Sequence, residues 1–228
     1  MDKPEKANRL RKAIAKNMVN SWSTSPKCDY KMSANAEPMM GFRKQFNEEN
    51  DCKVSFLNLV AKAVAIALKE FPYVNSSYDF ENHQHLLHED VNVGFAISLE
   101  NNGLIVANVK NADQLSLTEL NRESQRVIDA ARNGTLQLED IQGGSITINN
   151  MGKFKRLEQH SMIINQPELA ILAMYNIVDK PVVVDGEVKV QKQMGFMLSA
   201  DHRVIDGEMA CEFLERVCEL VEHPEELV

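Results

Sequence analysis

Cysteine is scarce in this sequence, with four residues among 228. Cys28, Cys52, Cys211 and Cys218 form no C-x-x-C pair, which argues against a zinc site or a dithiol redox motif. So few cysteines in a chain of this length indicate a reducing compartment. Cys211 and Cys218 are seven positions apart, two turns along one helix face, and we expect both to be buried as small apolar residues.

Long apolar runs and an excess of positive charge are also lacking. No uninterrupted apolar segment approaches the roughly 20 residues of a membrane helix, so no membrane contact is expected. Lysine and arginine number 25 against 33 acidic residues, a net charge of -8. A nucleic-acid partner is not expected, because a phosphate backbone requires a basic surface. The first residues are charged and lack an apolar signal region, which predicts no secretory signal but leaves a removed transit peptide open.

The apolar content, in contrast, is sufficient for a folded core. It amounts to 44% of the residues, too much for a fully disordered chain. The length suits one large domain or two small ones. Because we find no internal repeat, low-complexity tract or linker, we expect a single domain over residues 1–228.

Helical periodicity and capping signals predict five helices. They are residues 8–22, with Leu10, Ile14, Met18 and Trp22 on one face; Pro38 to about Asn47; an apolar helix that Ser55 caps and that stops before Pro72; a helix that a Ser116–Glu119 capping box opens and Gly134 ends; and a last helix from about Asp206 to Glu222.

Strand patterns fill most of the remaining chain. Asp185-Gly186 lies between two β-rich arms and predicts a hairpin. The other predicted strands are an extended stretch over residues 28–33, YVNSSYDF, VNVGFAISL and GLIVANV between residues 73 and 110, the run from Ser145 to Asn150, the apolar run 168–175, and GFMLSA.

The residues best suited to chemistry lie between the last predicted strand and the last helix, in DHRVIDG at 201–207. A strand end is a rigid mount for a reactive side chain, and imidazole is the side-chain group best suited to exchange protons near neutral pH, so His202 could take a proton from a thiol. Two other interpretations stay open from the residues alone. His202 could simply hold the strand–helix junction together, or Asp201, His202 and Asp206 could bind a metal. No further His or Cys lies at ligand spacing, so no metal is expected.

A second group of histidines occurs in NHQHLLHED. His83, His85 and His88 are separated by two and three residues, which fits neither a pair on one helix face nor a zinc-finger pattern. A solvated turn is the interpretation that we favour.

The segment SADHRVIDG resembles the DHRxxDG signature of the catalytic domain of dihydrolipoamide acyltransferases, the E2 components of 2-oxo acid dehydrogenase complexes. RKAIAKNM resembles the opening helix of that family and FPYVNSSY its P-x-x-N-[AS] turn. NNGLIVANVKNAD resembles its NGLIxPxVxNAD strand, GGSITINNMG its GGTFTxSNxG strand, and IINQPELAIL and PVVVDGEV match the next two segments in the same order. The resemblance therefore spans almost all of the chain.

The resemblance implies an α/β fold, a chloramphenicol-acetyltransferase-like two-layer sandwich with a mixed sheet and flanking helices. It also implies a homotrimer with active sites in channels between subunits, which could build a larger cubic or icosahedral core. Dihydrolipoamide would enter one end of each channel and coenzyme A the other, and the reaction would move an acyl group between them. The implied location is the bacterial cytoplasm or, as an alternative, the mitochondrial matrix.

The same resemblance assigns roles to individual residues. His202 corresponds to the general base of the family, and Asp206 to an acidic residue that holds the loop through an ion pair. Asn149 stands where the family has its oxyanion-stabilising serine, and an asparagine amide can also donate a hydrogen bond. If the channel lies between subunits, His202 and Asn149 should meet across the trimer interface rather than inside one chain.

Four further residues are assigned by resemblance to the coenzyme A end of the channel. Arg43 and Ser55 resemble residues that contact coenzyme A in some members, and Asn150 and Tyr175 are placed with them. Tyr175 stands where relatives usually have glycine, and its ring could narrow the pocket. The segment KFKRLEQHSM that follows Gly152 is more charged than in most relatives.

These departures leave alternatives open. A catalytically weakened structural core of such a complex is the main one, because both Asn149 and Tyr175 differ from the family pattern. An antibiotic acetyltransferase of the same fold is a lesser one, since it usually has a paired histidine where this chain has Asp201. The sequence contains no lipoyl domain and no peripheral-subunit-binding domain. The lipoyl group would then be carried on another domain or protein, and the E1 and E3 components would bind through the missing domains.

Overall fold

The computed structural model describes residues 2–99 and 103–228. Asn101 and Asn102, the first two residues of the NNGLIVANVKNAD segment, lie outside the described residues. The helices are α1 Arg9–Thr24, α2 Glu37–Glu49, α3 Phe56–Glu70, α4 Leu117–Asn133, α5 Leu138–Ile141 and α6 Gly207–Glu222, followed by a 3₁₀ helix, Pro224–Leu227. The strands are β1 Lys27–Asn35, β2 Ser76–Asp79, β3 Gln84–Leu87, β4 Val93–Ser98, β5 Leu104–Val109, β6 Ile146–Asn150, β7 Ala170–Val184 and β8 Glu187–Asp201.

A six-stranded mixed sheet organises the chain, in the order β1-β8-β7-β6-β4-β5. Strand β6 runs parallel to both of its neighbours, β4 and β7, whereas the remaining pairs are antiparallel. Strands β2 and β3 form a separate two-stranded hairpin. The prediction of an α/β fold with a mixed sheet and flanking helices is confirmed.

Alternation along β6 separates the two faces of the sheet. Ile146 and Ile148 are buried in the main core, on the face covered by α3, α4 and α6. Thr147 and Asn149 point the opposite way and line a cavity beneath α1. Because strand side chains alternate with a period of two, Thr147 and Asn149 lie on the α1 side of the sheet, opposite to Ile146 and Ile148.

Helix α3 forms the centre of the main core. Ser55 caps it, because its Oγ accepts a hydrogen bond from the backbone N–H of Asn58. In turn, Oδ1 of Asn58 accepts a bond from the backbone N–H of Ser55. Lys62 is buried in this apolar helix, and its ammonium group donates to the carbonyl oxygens of Asp113 and Leu115 at 2.8 and 2.7 Å. Burial lowers the pKa of Lys62, and these two bonds satisfy its charge.

The hairpin predicted at Asp185-Gly186 joins two strands that are longer than expected. Both residues have positive φ, 54° and 81°, as a two-residue turn of this kind requires. Strands β7 and β8 each contain 15 residues. The predicted arms on either side of the turn continue through residues 176–181 and 191–194, which were not predicted as strand, into the predicted inner strands. Val183, Val188 and Val190 near the turn are exposed.

Several local predictions are wrong. The histidines of NHQHLLHED are exposed as expected, but residues 84–87 form strand β3 rather than a turn. Trp22 is 67% exposed instead of joining Leu10, Ile14 and Met18 beneath α1, and Ser21 is buried in its place. Cys218 is buried, but Cys211 is only partly buried. In the described part of the chain, no helix has both the length and the apolar character to cross a membrane.

A buried carboxyl group links β6 to the start of β7. Glu168 accepts hydrogen bonds from Thr147 Oγ1 at 2.7 Å and from Asn165 Nδ2 at 2.9 Å. Burial raises the pKa of Glu168 to about 7, although both bonds act in the opposite direction. Since this pKa lies above its ordinary value of 4.5, folding favours the protonated form. The resulting stabilisation is complete below about pH 4.5 and is lost as the pH rises through about 7.

Replacing Glu168 by Gln should therefore make the free energy of unfolding less dependent on pH. Between pH 5 and pH 8 the wild type should lose up to the order of 3 kcal/mol that the variant keeps. Thermal melting at both pH values, at one protein concentration, measures the difference. Glu158→Gln, at an exposed position, is the matched control and should follow the wild type. A pH dependence that is unchanged in Glu168→Gln would contradict the assignment.

Candidate functional site

The loop between β8 and α6 presents His202 at the surface. Its backbone N–H donates to the carbonyl oxygen of Pro26 at 3.0 Å, which ties the loop to the start of β1. Further along the loop, the backbone N–H groups of Val204 and Ile205 both donate to the carbonyl oxygen of Asp201. The side chain of Ile205 is fully buried. The loop is therefore anchored through its backbone while the imidazole of His202 is exposed. This argues against the interpretation that the His202 side chain holds the strand–helix junction together.

An ion pair next to His202 fixes this loop. The Asp201 carboxylate, whose side chain is 3% exposed, accepts two bonds from the Arg203 guanidinium, at 2.9 and 2.6 Å, and one from the Arg203 backbone. The same guanidinium lies 3.7 Å from the ring centroid of Phe80 and donates to Ser25 Oγ. A planar guanidinium suits this combination of a forked pair and a stacked ring.

Asp206 serves as the N-cap of α6, where its carboxylate accepts a bond from the backbone N–H of Met209 at 3.0 Å. Among the described residues it takes part in none of the ion pairs. The ion pair that the resemblance implied is therefore not formed within one chain. What the structure provides instead is a capped helix start immediately after the His202 loop.

Asn149 lies on the opposite side of the sheet from the main core, at the wall of a cavity of about 630 Å³. The cavity separates α1 from strands β4, β5 and β6. Among the described residues, its lining contains no Lys, Arg, Asp or Glu. Most lining side chains are apolar; the polar ones are Asn17, Thr147, Asn149, His160 and Asn165.

His160 and Tyr175 complete the surroundings of Asn149. The Nδ2 atom of Asn149 is 3.4 Å from Nε2 of His160, and Nδ1 of the same imidazole is 2.9 Å from the Tyr175 hydroxyl oxygen. The backbone N–H of His160 also donates to that oxygen, at 3.0 Å. Burial lowers the pKa of His160, with Asp29 acting in the opposite direction, and burial raises the pKa of Tyr175.

Within one chain the structure does not bring His202 and Asn149 into one cavity. Asn149 lines the cavity beneath α1, whereas His202 lies on the exposed loop and Asp201 and Arg203 line a smaller cavity of about 310 Å³. Their meeting across a subunit interface stays a prediction.

Arg43 and Ser55 do lie close together, at the start of α3. Arg43 Nε donates to the carbonyl oxygen of Val54 at 3.0 Å, and its guanidinium stacks on Phe56, 4.5 Å from the ring centroid. Ser55, the next residue after Val54, is the N-cap of α3. The contacts of Arg43 with Val54 and Phe56 thus connect α2 to the start of α3, next to Ser55.

Asn150 and Tyr175 have separate surroundings. The Asn150 side chain accepts a bond from the backbone N–H of Gly152 at 2.9 Å. Tyr175 is 3% exposed and packs in a small apolar cluster on the α1 side of the sheet, with Met162, Ile164, Ile171, Ala173 and Met197. A contact of Tyr175 with coenzyme A stays a prediction; the contact found within the chain is with His160. No group of His, Cys, Asp or Glu suited to a metal ion occurs among the described residues.

His160 is the site residue that sequence reasoning missed. It lies in the charged segment KFKRLEQHSM, where no periodicity marks an inward-facing position. The departure at Tyr175 was visible in the sequence, but the link between the two positions depends on a loop that folds back over β7.

Comparison with known proteins gives consistent results. The model of the family "2-oxoacid dehydrogenases acyltransferase (catalytic domain)" matches residues 2–228. The dihydrolipoyllysine-residue succinyltransferase component of the 2-oxoglutarate dehydrogenase complex of Bartonella vinsonii subsp. berkhoffii is 36% identical over 225 residues, which cover 96% of this chain and 54% of the relative. The corresponding acetyltransferase component of the pyruvate dehydrogenase complex of Bacillus subtilis is also 36% identical, with 97% and 50% covered. The chain thus spans about half the length of these relatives.

Solved structures agree in fold. A probable dihydrolipoamide acetyltransferase from Listeria monocytogenes is 35% identical with a TM-score of 0.90, covering 97% of this chain and 95% of that one. The cubic core of a pyruvate dehydrogenase multienzyme complex is 30% identical with a TM-score of 0.92, covering 100% and 94%. Chloramphenicol acetyltransferase, at 13% identity, has a TM-score of 0.56 and covers 94% and 96%, which confirms the two-layer fold that the resemblance implied.

Replacing Arg203 by Lys should destabilise the protein by about 1–3 kcal/mol, because lysine keeps the charge but loses the fork to Asp201 and the stacking on Phe80. Urea unfolding at one protein concentration measures this loss. Arg122→Lys is the matched control, since the Arg122 side chain is 74% exposed and only 3.8 Å from Glu123, and it should change stability by less than about 0.5 kcal/mol. Equal losses in the two variants would show that the ion pair does not anchor the loop.

Proposed function

Because this chain belongs to the family of 2-oxoacid dehydrogenase acyltransferase catalytic domains, we propose that it transfers an acyl group between dihydrolipoamide and coenzyme A. The observation that carries the proposal is the exposed imidazole of His202 on a loop that Asp201, Arg203 and Pro26 anchor. An exposed and rigidly mounted base is what a reaction between an incoming thiol and an incoming thioester needs.

His202 acts as the general base. An ordinary thiol has a pKa near 8.5, so it is mostly protonated at neutral pH and needs a proton acceptor before it can attack. The neutral imidazole takes the proton from the attacking thiol, and the thiolate then adds to the thioester carbonyl. When the tetrahedral intermediate collapses, the imidazolium returns the proton to the leaving thiol, so no covalent acyl-enzyme is required.

Asn149 stabilises the intermediate. Its amide N–H donates to the carbonyl oxygen as negative charge develops there, a role commonly worth about 3 kcal/mol. Asp206 acts through the loop rather than on the substrate, because it fixes the start of α6 one turn after His202. Supporting this division of roles, the Asn149 amide faces a cavity that can receive the acyl group.

We assign the coenzyme A end of the site to Arg43, Ser55 and Asn150, and not to Tyr175, whose contact within the chain is with His160. Support for the first two is their proximity at the N-terminus of α3, where a guanidinium and free backbone N–H groups favour a phosphate. The lipoyl group would come from another domain or protein. No step requires a metal.

The active unit is a homotrimer in which His202 of one subunit faces Asn149 of the next. The support is that each residue is accessible on its own side of a single chain while neither completes a site there. A cubic core is the larger assembly that we favour, by analogy with the pyruvate dehydrogenase core of similar structure. E1 and E3 components would be its further partners, and the bacterial sources of the relatives support a cytoplasmic location.

This chain's share of the cavity favours an uncharged, apolar acyl group. The cavity at Asn149 offers no cation among its described lining residues, so the distal carboxylate of a succinyl group would lose its hydration without a partner. Acetyl and branched acyl groups carry no such cost.

Replacing His202 by Ala should lower kcat for acyl transfer from acetyl-CoA to dihydrolipoamide by about 10²- to 10⁴-fold. The assay follows the thioester product with free dihydrolipoamide as acceptor. His83→Ala, which removes another exposed imidazole, is the matched control and should keep wild-type activity. Equal rates in His202→Ala and the wild type would reject the role of His202. A folded oligomer that transfers no acyl group at all would favour the alternative, a structural core with little chemistry.

A panel of acetyl-, isobutyryl- and succinyl-CoA tests the charge of the acyl group. We expect kcat/KM for succinyl-CoA to be at least about tenfold below that for the better of the two uncharged donors, because the cavity leaves the carboxylate unpaired. Each donor is measured at several concentrations against saturating dihydrolipoamide. Succinyl-CoA as the preferred donor would refute the assignment of this cavity to the acyl group.

A further inference from the structure

We propose that His160 and Tyr175 are positioning residues that hold the Asn149 amide so that one of its N–H bonds stays directed at the reacting carbonyl oxygen. The inference rests on the proposed function, in which Asn149 stabilises the oxyanion. It adds two residues to the reaction, both outside the DHRVIDG loop, that act through Asn149.

The direction of the hydrogen bonds follows from their chemistry. Nδ2 of an asparagine can only donate, so the facing Nε2 of His160, 3.4 Å away, must accept. The imidazole proton is then on Nδ1, which donates to the Tyr175 oxygen at 2.9 Å. One amide hydrogen of Asn149 is occupied by His160, and the other is left for a ligand in the cavity.

Tyr175 fixes the imidazole from two directions. Its oxygen accepts from the ring Nδ1 and from the backbone N–H of the same histidine, at 2.9 and 3.0 Å. The two rings also meet edge to face, with centroids 5.8 Å apart and planes at 87°. These contacts leave the imidazole little rotational freedom.

The pairing of β6 with β7 sets the distance between Asn149 and Tyr175, the two residues that His160 connects by hydrogen bonds. Asn149 on β6 is in register with Ala173 on β7, and Tyr175 follows two residues later on the same face. Burial of Tyr175 in the apolar cluster beneath α1 keeps the phenol in place. The lowered pKa of His160 supports the neutral imidazole that the arrangement requires, with Asp29 as the opposing charge.

The amide needs such support because its two ends have opposite effects. If the Asn149 side chain rotates by half a turn, its carbonyl oxygen replaces the N–H and repels a developing oxyanion. A neutral imidazole acceptor selects the orientation with nitrogen toward Nε2, whereas a protonated or absent imidazole removes this selection. The effect should therefore appear in the chemical step and not in substrate binding.

A double-mutant cycle tests the inference. Tyr175→Phe should lower kcat by about three- to tenfold, the effect of one neutral hydrogen bond, with KM for both substrates unchanged. Asn149→Ala should lower kcat by about 10²-fold or more. In the double variant Tyr175→Phe should cost nothing further, since the group that it positions is gone. Tyr73→Phe, which removes a hydroxyl from a tyrosine that packs on His85, is the matched control and should keep wild-type kcat.

Variants of His160 provide a second, independent measurement. Glutamine can offer an oxygen near the position of Nε2, so His160→Gln should keep kcat within about threefold of the wild type. Leucine offers no acceptor, so His160→Leu should lose at least as much kcat as Tyr175→Phe. Circular dichroism and melting temperature establish that each variant is folded.

The outcomes separate this inference from the proposed function. If the wild type is active and His202→Ala is not, but the losses of Tyr175→Phe and Asn149→Ala multiply, the function stands and the positioning role is overturned. A rise in KM without a change in kcat, or equal activity of His160→Gln and His160→Leu, overturns it as well. An inactive wild type would overturn both.

Discussion

The alternation of side chains along strand β6 is the constraint on which the site depends. Ile146 and Ile148 are committed to the core under α3, α4 and α6, so Thr147 and Asn149 must face the other way. A shift of register by one residue would bury the amide in the core and expose two isoleucines, at a cost that the fold could not sustain. The core therefore fixes the side of the sheet on which chemistry can take place.

On that side of the sheet, a single chain leaves a large cavity unfilled. The main core is covered by three helices, whereas the opposite face has α1, the loop with His160, and a cavity of about 630 Å³ between them. The anchored His202 loop lies at a different surface of the same chain. The proposed trimer would bring these two accessible surfaces together across a subunit interface.

Most of the fold could be predicted from the sequence because its signals are local. The cap at Ser55, the capping box at Ser116, the αL glycine at 134 and the Asp185-Gly186 turn are each contained in a few residues, and all four are confirmed. Strand β3 was missed because it is exposed, and the middle of the β7–β8 hairpin, residues 176–181 and 191–194, because polar and apolar residues are mixed there without a clear strand pattern.

The candidate site was predictable only where its residues lie in a continuous motif. DHRVIDG marks His202 and Asp206 directly, but the partners of Asp206 depend on where a loop ends and a helix begins. Exposure of Trp22 follows from the helical period: at 3.6 residues per turn, Trp22 lies about 120° around α1 from Leu10, whereas Ser21 returns to within about 20° of it and is buried. Contacts between distant segments, such as His160 with Tyr175, leave no trace in periodicity.

The unusual residues Asn149 and Tyr175, considered separately, suggest a site that has lost its chemistry. Their geometry argues otherwise, because a single imidazole connects them: it accepts from one and donates to the other. A serine hydroxyl can turn toward an oxyanion on its own, whereas an amide must be held against rotation to present nitrogen rather than oxygen. Under the proposed positioning role, the longer donor on β6 and the buried phenol on β7, two positions beyond the residue paired with Asn149, therefore act together. The part-buried contacts of His160 with Asn149 and Tyr175 would then supply the support that the amide donor requires, and both departures from the family pattern would serve the proposed reaction.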